Sequence, residues 1–396
     1  MHDDKDRQAL GQNTRLCRAG HDPFDFHGFV NPPVVHGSTV LFPDAQTMET
    51  RRQRYTYATR GTPTTDALCK AIDELEGAAG TVLVPSGLAA VTLPLLAFLD
   101  AGDHVLVVDS VYFPTRHFCD TMLKRMGVEV SYYDPSLGDA IVDVFRSNTK
   151  VVLTESPGSN TFEMQDIPAI AEAAHRHGAI VMMDNTWATP LFFKPLDFGV
   201  DISIHAATKY PGGHSDVLLG TVSANDATLN RLRETALALG ICAAPDDCYA
   251  ILKGLRTMGV RLDRHQESAF AIASALEGHP GVAAVLHPGL ESHPGHALWK
   301  RDYRGASGLF SIVLDAQGDA ERFRSKAHAF LDALDIFGLG YSWGGFESLA
   351  VRANLVDRTI ATAPSQGPVI RLQIGLEDVD DLLADVKKGL AAAALA

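Results

Sequence analysis

Residues 201–220 read DISIHAATKYPGGHSDVLLG, and the interpretation of the whole chain starts from this stretch. Ile202 and Ile204 alternate with other residues until Ala206, which predicts a short strand. Pro211 and two glycines follow Lys209, so we expect this lysine in a loop directly after the strand. A lone lysine in a loop is usually a solvated side chain. Here small residues precede it and leave room for a bulky group beside an amine that can form a Schiff base with a carbonyl cofactor.

Strand and helix patterns alternate from residue 80 to about residue 223. The predicted strands are 81–84, 104–108, 129–133, 151–154, 180–183, 201–205 and 218–222, and helical patterns such as 87–99, 113–126 and 167–177 lie between them. This alternation predicts an α/β fold with a central, mostly parallel sheet and helices on both faces. Ligands of such sheets bind outside the carboxyl ends of the strands.

The chemically useful residues follow the predicted strands. They are Ser86-Gly87-Leu88 after the first strand, Tyr112 after the second, residues 155–159 after the fourth, Asp184 after the fifth and Lys209 after the sixth. Because parallel strands end at the same edge of a sheet, we expect these side chains to converge there.

The expected cluster contains what pyridoxal 5'-phosphate (PLP) requires of a protein: an amine, an acid for the ring nitrogen, a phosphate cradle and a group that stacks on the ring. Lys209 can supply the amine and Asp184 the acid. The alternative for Asp184 is a purely structural role as the cap of a turn before Asn-Thr, which is typical of aspartate. The position of Lys209 favours the cofactor role over the cap.

Two weaker signals complete the cluster. Ser86-Gly87 lies at a predicted strand-to-helix turn, where free N–H groups and the helix dipole suit a phosphate, and the Thr208 hydroxyl can add to the cradle. Any tight turn could use Ser-Gly, however. Tyr112 can stack on the ring, or it can be a core aromatic at the start of a helix.

The chain resembles the PLP-dependent enzymes of cysteine and methionine metabolism over essentially its whole length. The matching motifs are Tyr57…Gly61-Thr62-Pro63-Thr64, Ser86-Gly-Leu-Ala-Ala90, Tyr112, Glu155-Ser-Pro157, Asp184-Asn-Thr-Trp187, Ala206-Ala-Thr-Lys209, YSWGGFES at 341–348 and IRLQIGLED at 370–378. The resemblance implies the fold type I of PLP-dependent transferases and a homotetramer, built as a dimer of dimers with shared active sites.

The resemblance also assigns roles to residues outside the sheet edge. Tyr57 is expected to reach the phosphate of a neighbouring subunit's cofactor and to contribute to the substrate site. Arg371 is expected to pair with the substrate α-carboxylate, with Ser342 and Trp343 lining the same pocket.

One position departs from the family pattern. The family usually carries arginine two places after the arm tyrosine, where this chain has Thr59 followed by Arg60. Either Arg60 takes over the phosphate contact or the cradle lacks one positive charge, and the one-residue shift would turn the side chain to the other side of an extended arm. Our prediction is that Arg60 takes over.

Within the family the motifs are most similar to those of the β-acting enzymes. The expected reaction is therefore β-elimination of L-cystathionine to homocysteine, pyruvate and ammonia, with Lys209 and Tyr112 as catalytic residues. The alternatives are a γ-lyase or γ-synthase, a general β-lyase of cysteine S-conjugates, or a non-catalytic regulator that keeps the cofactor. A dinucleotide-binding protein is disfavoured because residues 84–90 contain no G-x-G-x-x-G.

Composition sets the broader expectations. The chain has 396 residues, which is enough for two domains, and a net charge of −14, which argues against nucleic acid and anionic membranes as partners. We predict an extended arm over 1–60, a large cofactor-binding domain over 61–250 and a smaller α+β domain over 251–396. The five scattered cysteines predict reduced thiols in the cytoplasm, the first ten residues contain no apolar leader core, and no metal site is expected.

Overall fold

The computed structural model describes residues 10–20, 22–316, 318 and 320–396. The first nine residues, on which the leader interpretation depends, lie outside this range. Within the described residues, no helix is both long enough and apolar enough to cross a membrane.

A seven-stranded sheet forms the centre of the larger part of the molecule. Its strands are β1 (Gly80–Val84), β2 (His104–Val108), β3 (Glu129–Tyr133), β4 (Thr149–Glu155), β5 (Ile180–Asp184), β6 (Ile202–His205) and β7 (Gly220–Ala224). They are arranged in the order β1-β7-β6-β5-β4-β2-β3, and only β7 runs antiparallel to its neighbours. Every predicted strand is found, and the predicted mostly parallel sheet is confirmed.

Helices cover both faces of this sheet. They are α3 (Pro63–Glu76), α4 (Gly87–Phe98), α5 (Phe113–Phe118), α6 (Ile167–Arg176), α7 (Thr189–Phe192) and α8 (Asp226–Ala238). The two helices before α3 belong to the N-terminal segment. The strand β2 reads HVLVV and is buried throughout, as expected for a parallel strand covered on both sides. The helix predicted over 113–126 is present, but a π-helical turn at Cys119–Leu123 interrupts its regular α-helical bonding after α5.

The N-terminal segment is more helical than the sequence predicts. Where we expected extended chain with one helical turn, the structure has α1 (Gln12–Arg18), α2 (Ala45–Thr50) and short 3-10 turns at Pro23–Phe26 and Ala58–Arg60. The side chain of Leu16 in α1 is only 1% exposed, because α1 packs on the long helix α9 (Pro245–Leu276). Residues 12–18 therefore form a helix packed against their own chain, and not the extended segment that the sequence predicts.

A second, four-stranded antiparallel sheet forms the smaller part. It contains β8 (Val282–Leu286), β9 (Leu309–Leu314), β10 (Leu349–Arg352) and β11 (Val369–Gln373) in the order β10-β11-β9-β8. The accompanying helices are α10 (His296–Asp302), α11 (Ala320–Asp332) and α12 (Val379–Ala394).

The helix α9 joins the two parts of the molecule. Its residues up to Leu262 belong to the hydrophobic cluster under the large sheet, and those from Ala269 onward belong to the cluster of the smaller sheet. The division predicted at residue 250 falls inside this helix, and the division of the chain into three domains stays a prediction.

Candidate active site

Lys209 lies at the carboxyl edge of the large sheet, in the turn that follows β6. Its backbone N–H donates to Ala206, and its Nζ donates to Ser342 Oγ at 2.6 Å. The Nζ also lies 5.2 Å from the centre of the Trp343 ring. Burial, and then the positive charge of Arg371, lower the pKa of the Lys209 amine to about 8, while Asp184 acts in the opposite direction. The amine therefore loses its proton far more readily than an ordinary lysine.

Asp184 ends β5, the strand next to β6. One of its carboxylate oxygens accepts the backbone N–H of Thr186 at 2.9 Å, which is the turn-capping bond that the sequence left open. Burial raises the pKa of this carboxyl, and the bonds from Thr186 and the charge of Lys209 lower it. The carboxyl group also faces the cavity that contains Lys209, so capping the turn and lining the cavity are compatible.

Glu155 is a second buried acid at this edge, where the sequence predicts it, although no role was assigned to it. It ends β4 in register with Asp184, and its Oε2 accepts the backbone N–H of Tyr112 at 2.7 Å. Burial, and then the neighbouring Asp184, raise the pKa of Glu155 well above its ordinary value. Its position directly after a predicted strand is the signal from which the sequence predicts it at this edge.

The predicted phosphate turn lies at the start of α4. Ser86 caps the helix, since its Oγ accepts the backbone N–H of Ala89 at 3.2 Å. A Cβ on Gly87 would lie 2.5 Å from Ala206 Cβ, so only glycine lets this turn approach the segment before Lys209 so closely. The first N–H groups of a helix are free to bind an anion. Thr208 lines the same cavity, and its hydroxyl is bonded to the backbone of Leu219.

Tyr112 stands just before α5 on the other side of the cavity. Its side chain is 45% exposed, which leaves a ring face open. Burial, followed by the charges of Glu155 and Asp184, raises the pKa of its phenol. A tyrosine so placed can stack on a planar ring.

The smaller sheet supplies the opposite wall. Arg371, on β11, donates from Nη2 to Ser342 O at 3.2 Å, and burial lowers the pKa of its guanidinium to about 10. Ser342 has a φ of +80°, an uncommon conformation for a residue with a side chain. At Gly344 a Cβ would lie 2.9 Å from the backbone N of Tyr210, so this segment rests directly on the lysine turn.

These residues enclose one cavity of about 260 Å³. The predicted residues that line it are Ser86, Gly87, Leu88, Tyr112, Asp184, Thr208, Lys209, Trp343 and Arg371, and Ser342 contacts Lys209 at its border. Tyr57 and Arg60 are not among the lining residues. Gly158 and Ser159, which the sequence predicts at this edge, also line the cavity, and so do Asn160 and Phe162, which no sequence signal identified.

The arrangement fits PLP on its own chemistry. A lysine amine of lowered pKa, a buried carboxyl group, a helix N-terminus opened by Gly87 and a half-exposed tyrosine ring all face one space. Among the described residues, no group of three or more His, Cys, Asp or Glu side chains is placed to hold a metal ion.

Comparison with known proteins agrees with this geometry. Residues 13–391 match the family described as "Cys/Met metabolism PLP-dependent enzyme", and the chain belongs to this family. PLP is therefore its cofactor, as the sequence predicts.

Individual relatives are similar over nearly their whole length. A Rhizobium johnstonii protein, provisionally named a cystathionine beta-lyase, is 72% identical over 98% of this chain and 99% of its own. The cystathionine beta-lyase MetC of Escherichia coli is 44% identical over 96% of this chain and 98% of its own. The crystal structure of cystathionine gamma synthase from Xanthomonas oryzae pv. oryzae, in complex with aminoacrylate and cysteine, superposes with a TM-score of 0.88 at 36% identity, covering 98% of this chain and 99% of that one. The predicted type I fold of PLP-dependent transferases is confirmed.

Proposed function

We propose that this enzyme cleaves L-cystathionine by β-elimination and releases homocysteine, pyruvate and ammonia. The observation that carries the proposal is the contact of Lys209 with Ser342 and Trp343 beside Arg371, in a chain 72% and 44% identical to relatives named for this activity. The substrate is thus an amino acid, and the enzyme is a carbon–sulfur lyase.

We assign the cofactor contacts as follows. Lys209 would hold the cofactor carbonyl, Asp184 the ring nitrogen and Tyr112 the ring face, with Ser86, Gly87, Leu88 and Thr208 around the phosphate. When bound, PLP withdraws electrons from the α-carbon of an amino acid. The single bond from Asp184 to the Thr186 backbone leaves its other carboxylate oxygen for this role.

The protein's own groups then divide the remaining work. Arg371 binds the substrate α-carboxylate with its guanidinium fork. The neutral amine of Lys209, held by Ser342 Oγ, takes the α-proton, because a pKa near 8 leaves a usable fraction unprotonated at neutral pH. Tyr112 faces the same cavity, and it can accept the proton of the substrate ammonium only as the phenolate, the form that the neighbouring charge of Arg371 favours. The homocysteine thiolate leaves from Cβ, and hydrolysis of the three-carbon remainder gives pyruvate and ammonia.

Trp343 supports β-elimination over γ-elimination. A γ-elimination requires a second deprotonation at Cβ, so the substrate chain must lie within reach of the base. The Trp343 indole lines the cavity 5.2 Å from Lys209 Nζ and 5.6 Å from the Tyr210 ring. A bulky indole so close to the base narrows the space for the substrate chain, which supports the elimination that needs a single deprotonation.

The bond that breaks is tested by the keto acid produced. Purified protein loaded with PLP is incubated with L-cystathionine, and the keto acids are separated by chromatography, with the Lys209→Ala variant as control. We expect pyruvate from the wild type and none from the variant. 2-Oxobutyrate as the main product would establish the γ-lyase alternative. If PLP stays bound and no keto acid forms from cystathionine or other thioethers, the regulator alternative is correct.

We further propose a homotetramer, a dimer of dimers, in which the arm supplies Tyr57 and Arg60 to a neighbouring subunit's site. Among the described residues that line the cavity, the cationic ones are Lys209 and Arg371, and neither belongs to the phosphate turn. Phosphate binding therefore calls for a cation from elsewhere. Large apolar side chains of residues 24–41 are also exposed in the single chain, among them Phe24 at 89% and Leu41 at 86%.

The proposed compartment is the cytoplasm. All five cysteines are free thiols, and two of them, Cys17 and Cys242, are exposed. Exposed free thiols suit a reducing environment.

A further inference from the structure

The turn at residues 158–163 forms a cavity wall with an unusual backbone. Asn160 and Phe162 have φ values of +66° and +61°, and a bulky residue such as phenylalanine rarely adopts this conformation. Such a backbone persists only when its surroundings hold it. Since this turn contributes Gly158, Ser159, Asn160 and Phe162 to the cavity lining, whatever holds it also shapes the pocket.

The group that holds the turn is the guanidinium of Arg358, almost 200 residues further along the chain. Its Nη1 lies 2.5 Å from Glu163 Oε1, its Nη2 donates to Ser159 O at 2.9 Å, and it also bonds the Thr161 hydroxyl. The Arg358 side chain is only 5% exposed. A buried charge needs this degree of pairing, and the planar fork fixes three acceptors of one turn at once.

The segment that carries Arg358 is itself anchored. The carboxylate of Asp109, just after β2, accepts the backbone N–H groups of Thr359, Ile360 and Ala361 at 3.0, 2.7 and 2.6 Å. Asp109 is also paired with the buried Arg116 at 2.5 Å. The bonds to Asp109 therefore fix the backbone next to Arg358, and Arg358 in turn fixes the turn 158–163.

The turn 158–163 contacts β9, the strand that pairs with β11 at Arg371. Ser311 Oγ donates to Asn160 O at 2.7 Å, and Ser311 is the cross-strand partner of Arg371. On its other side, the backbone N–H of Ser159 donates to Ser110 O at 2.8 Å, and a Cβ on Gly158 would lie 2.7 Å from Ser110 Cβ, so only glycine lets the turn lie this close to the residues after β2. The turn is thus confined between the Tyr112 side and the Arg371 side of the pocket.

We propose that Arg358 is a positioning residue for the substrate, which fixes the turn 158–163 against the strand of Arg371 and thereby sets how the pocket discriminates long from short cysteine thioethers. This inference rests on the proposed lyase function. Arg358 donates to Ser159, Thr161 and Glu163, which all belong to the turn and not to the predicted cofactor contacts, so its loss is expected to leave the cofactor site intact.

The test compares two thioethers in the PLP-loaded enzyme: the long L-cystathionine and the much shorter S-methyl-L-cysteine. The variants are Arg358→Gln, Arg358→Lys and Glu163→Gln, and Arg324→Gln is the control, because Arg324 is exposed on α11. We expect the ratio of kcat/KM for the long to the short substrate to fall about tenfold in Arg358→Gln, through KM of cystathionine, and less in the other two variants. Bound-cofactor absorbance should not change.

A second measurement does not depend on turnover. Hydrogen exchange of the PLP-loaded protein should rise in peptides covering 158–163 in Arg358→Gln and Glu163→Gln, and stay unchanged in Arg324→Gln. Adding Glu163→Gln to Arg358→Gln should have little further effect, because the contact between Arg358 and Glu163 is already lost in Arg358→Gln. An unchanged substrate ratio with a lower melting temperature would show a merely structural role and overturn the proposal, as would unchanged exchange in the turn. A wild type inactive on cystathionine would instead refute the proposed function, and the exchange result would still decide the role of Arg358.

Discussion

Replacing Lys209, the proposed catalytic lysine, should make the cofactor-free protein more stable. Lys209 is held in a site where its amine has a pKa of about 8 rather than its ordinary 10.5, mainly because of burial and then because of Arg371. The fold therefore disfavours the charged amine. At about 1.36 kcal/mol per pKa unit, the difference between 10.5 and about 8 corresponds to about 3 kcal/mol of instability whenever the amine is protonated in both states.

The pH dependence follows from the direction of this change. Below pH 8 the folded protein carries the full cost of the buried ammonium. As pH rises from 8 to 10.5, the amine is neutral in the folded protein and becomes neutral in the unfolded chain, so the cost disappears. Lys209→Met removes the charge and keeps a flexible side chain of similar length beside Trp343. The variant should exceed the wild type by about 3 kcal/mol at pH 7 and by less than about 1 kcal/mol at pH 10.

The assay is urea unfolding of the cofactor-free proteins at pH 7 and pH 10, at one protomer concentration, because association also contributes to stability. Lys253→Met, at an exposed position of α9, serves as control and should stay within about 0.5 kcal/mol of the wild type. A Lys209→Met variant that is less stable than the wild type at pH 7, or equally more stable at both pH values, would refute the reasoning.

Two further predictions concern the cofactor site. Gly87→Ala should weaken PLP binding about 5- to 150-fold, because its Cβ would lie 2.5 Å from Ala206 Cβ and overpacking costs about 1–3 kcal/mol. The control is Gly37→Ala, where a Cβ meets nothing within 4 Å. Equal affinities of the two variants in an absorbance titration would contradict the assignment of Gly87 to the phosphate cradle. Inactive Tyr57→Ala and Lys209→Ala subunits, dissociated and reassembled together, should regain part of the activity, and mixed oligomers that stay inactive would show that the arm serves its own subunit.

The large sheet could be predicted because its signals are local. The strand β2 is an unbroken apolar run, and Pro211 with its glycines ends the region of β6, so both strands are set by neighbours in sequence. The helix α1 gave no such signal. Its sequence QNTRLCR has few apolar residues, and it is held by α9, whose Arg256 donates to three backbone carbonyls at the end of α1, including Leu16 O at 3.0 Å. Tertiary contact overrides weak local propensity there.

The candidate site also contains residues that local patterns predict and residues that only long-range contacts position. Lys209, Asp184 and Ser86 were predictable because each follows a strand that has its own pattern, and the parallel topology brings strand ends together. The contact of Asp109 with Ala361 joins residues 252 positions apart in the chain, and neither belongs to a motif. Their pairing depends on how the two sheets meet, which no local pattern encodes. The same holds for Arg358 and the turn that it fixes.

The placement of Arg371 has a consequence for the base. Its charge is one of the causes that lower the pKa of Lys209, and it is the group proposed to bind the substrate carboxylate. A carboxylate bound there offsets the guanidinium charge, so the pKa of the Lys209 amine rises once substrate is in place. Before binding, the lowered pKa leaves a larger fraction of the amine neutral and reactive toward the cofactor than in an ordinary lysine. After binding, the higher pKa makes the freed amine a stronger base for the α-proton. One arginine can thus serve both recognition of the carboxylate and the timing of base strength, and a lysine at that position would lack the planar fork that matches a carboxylate.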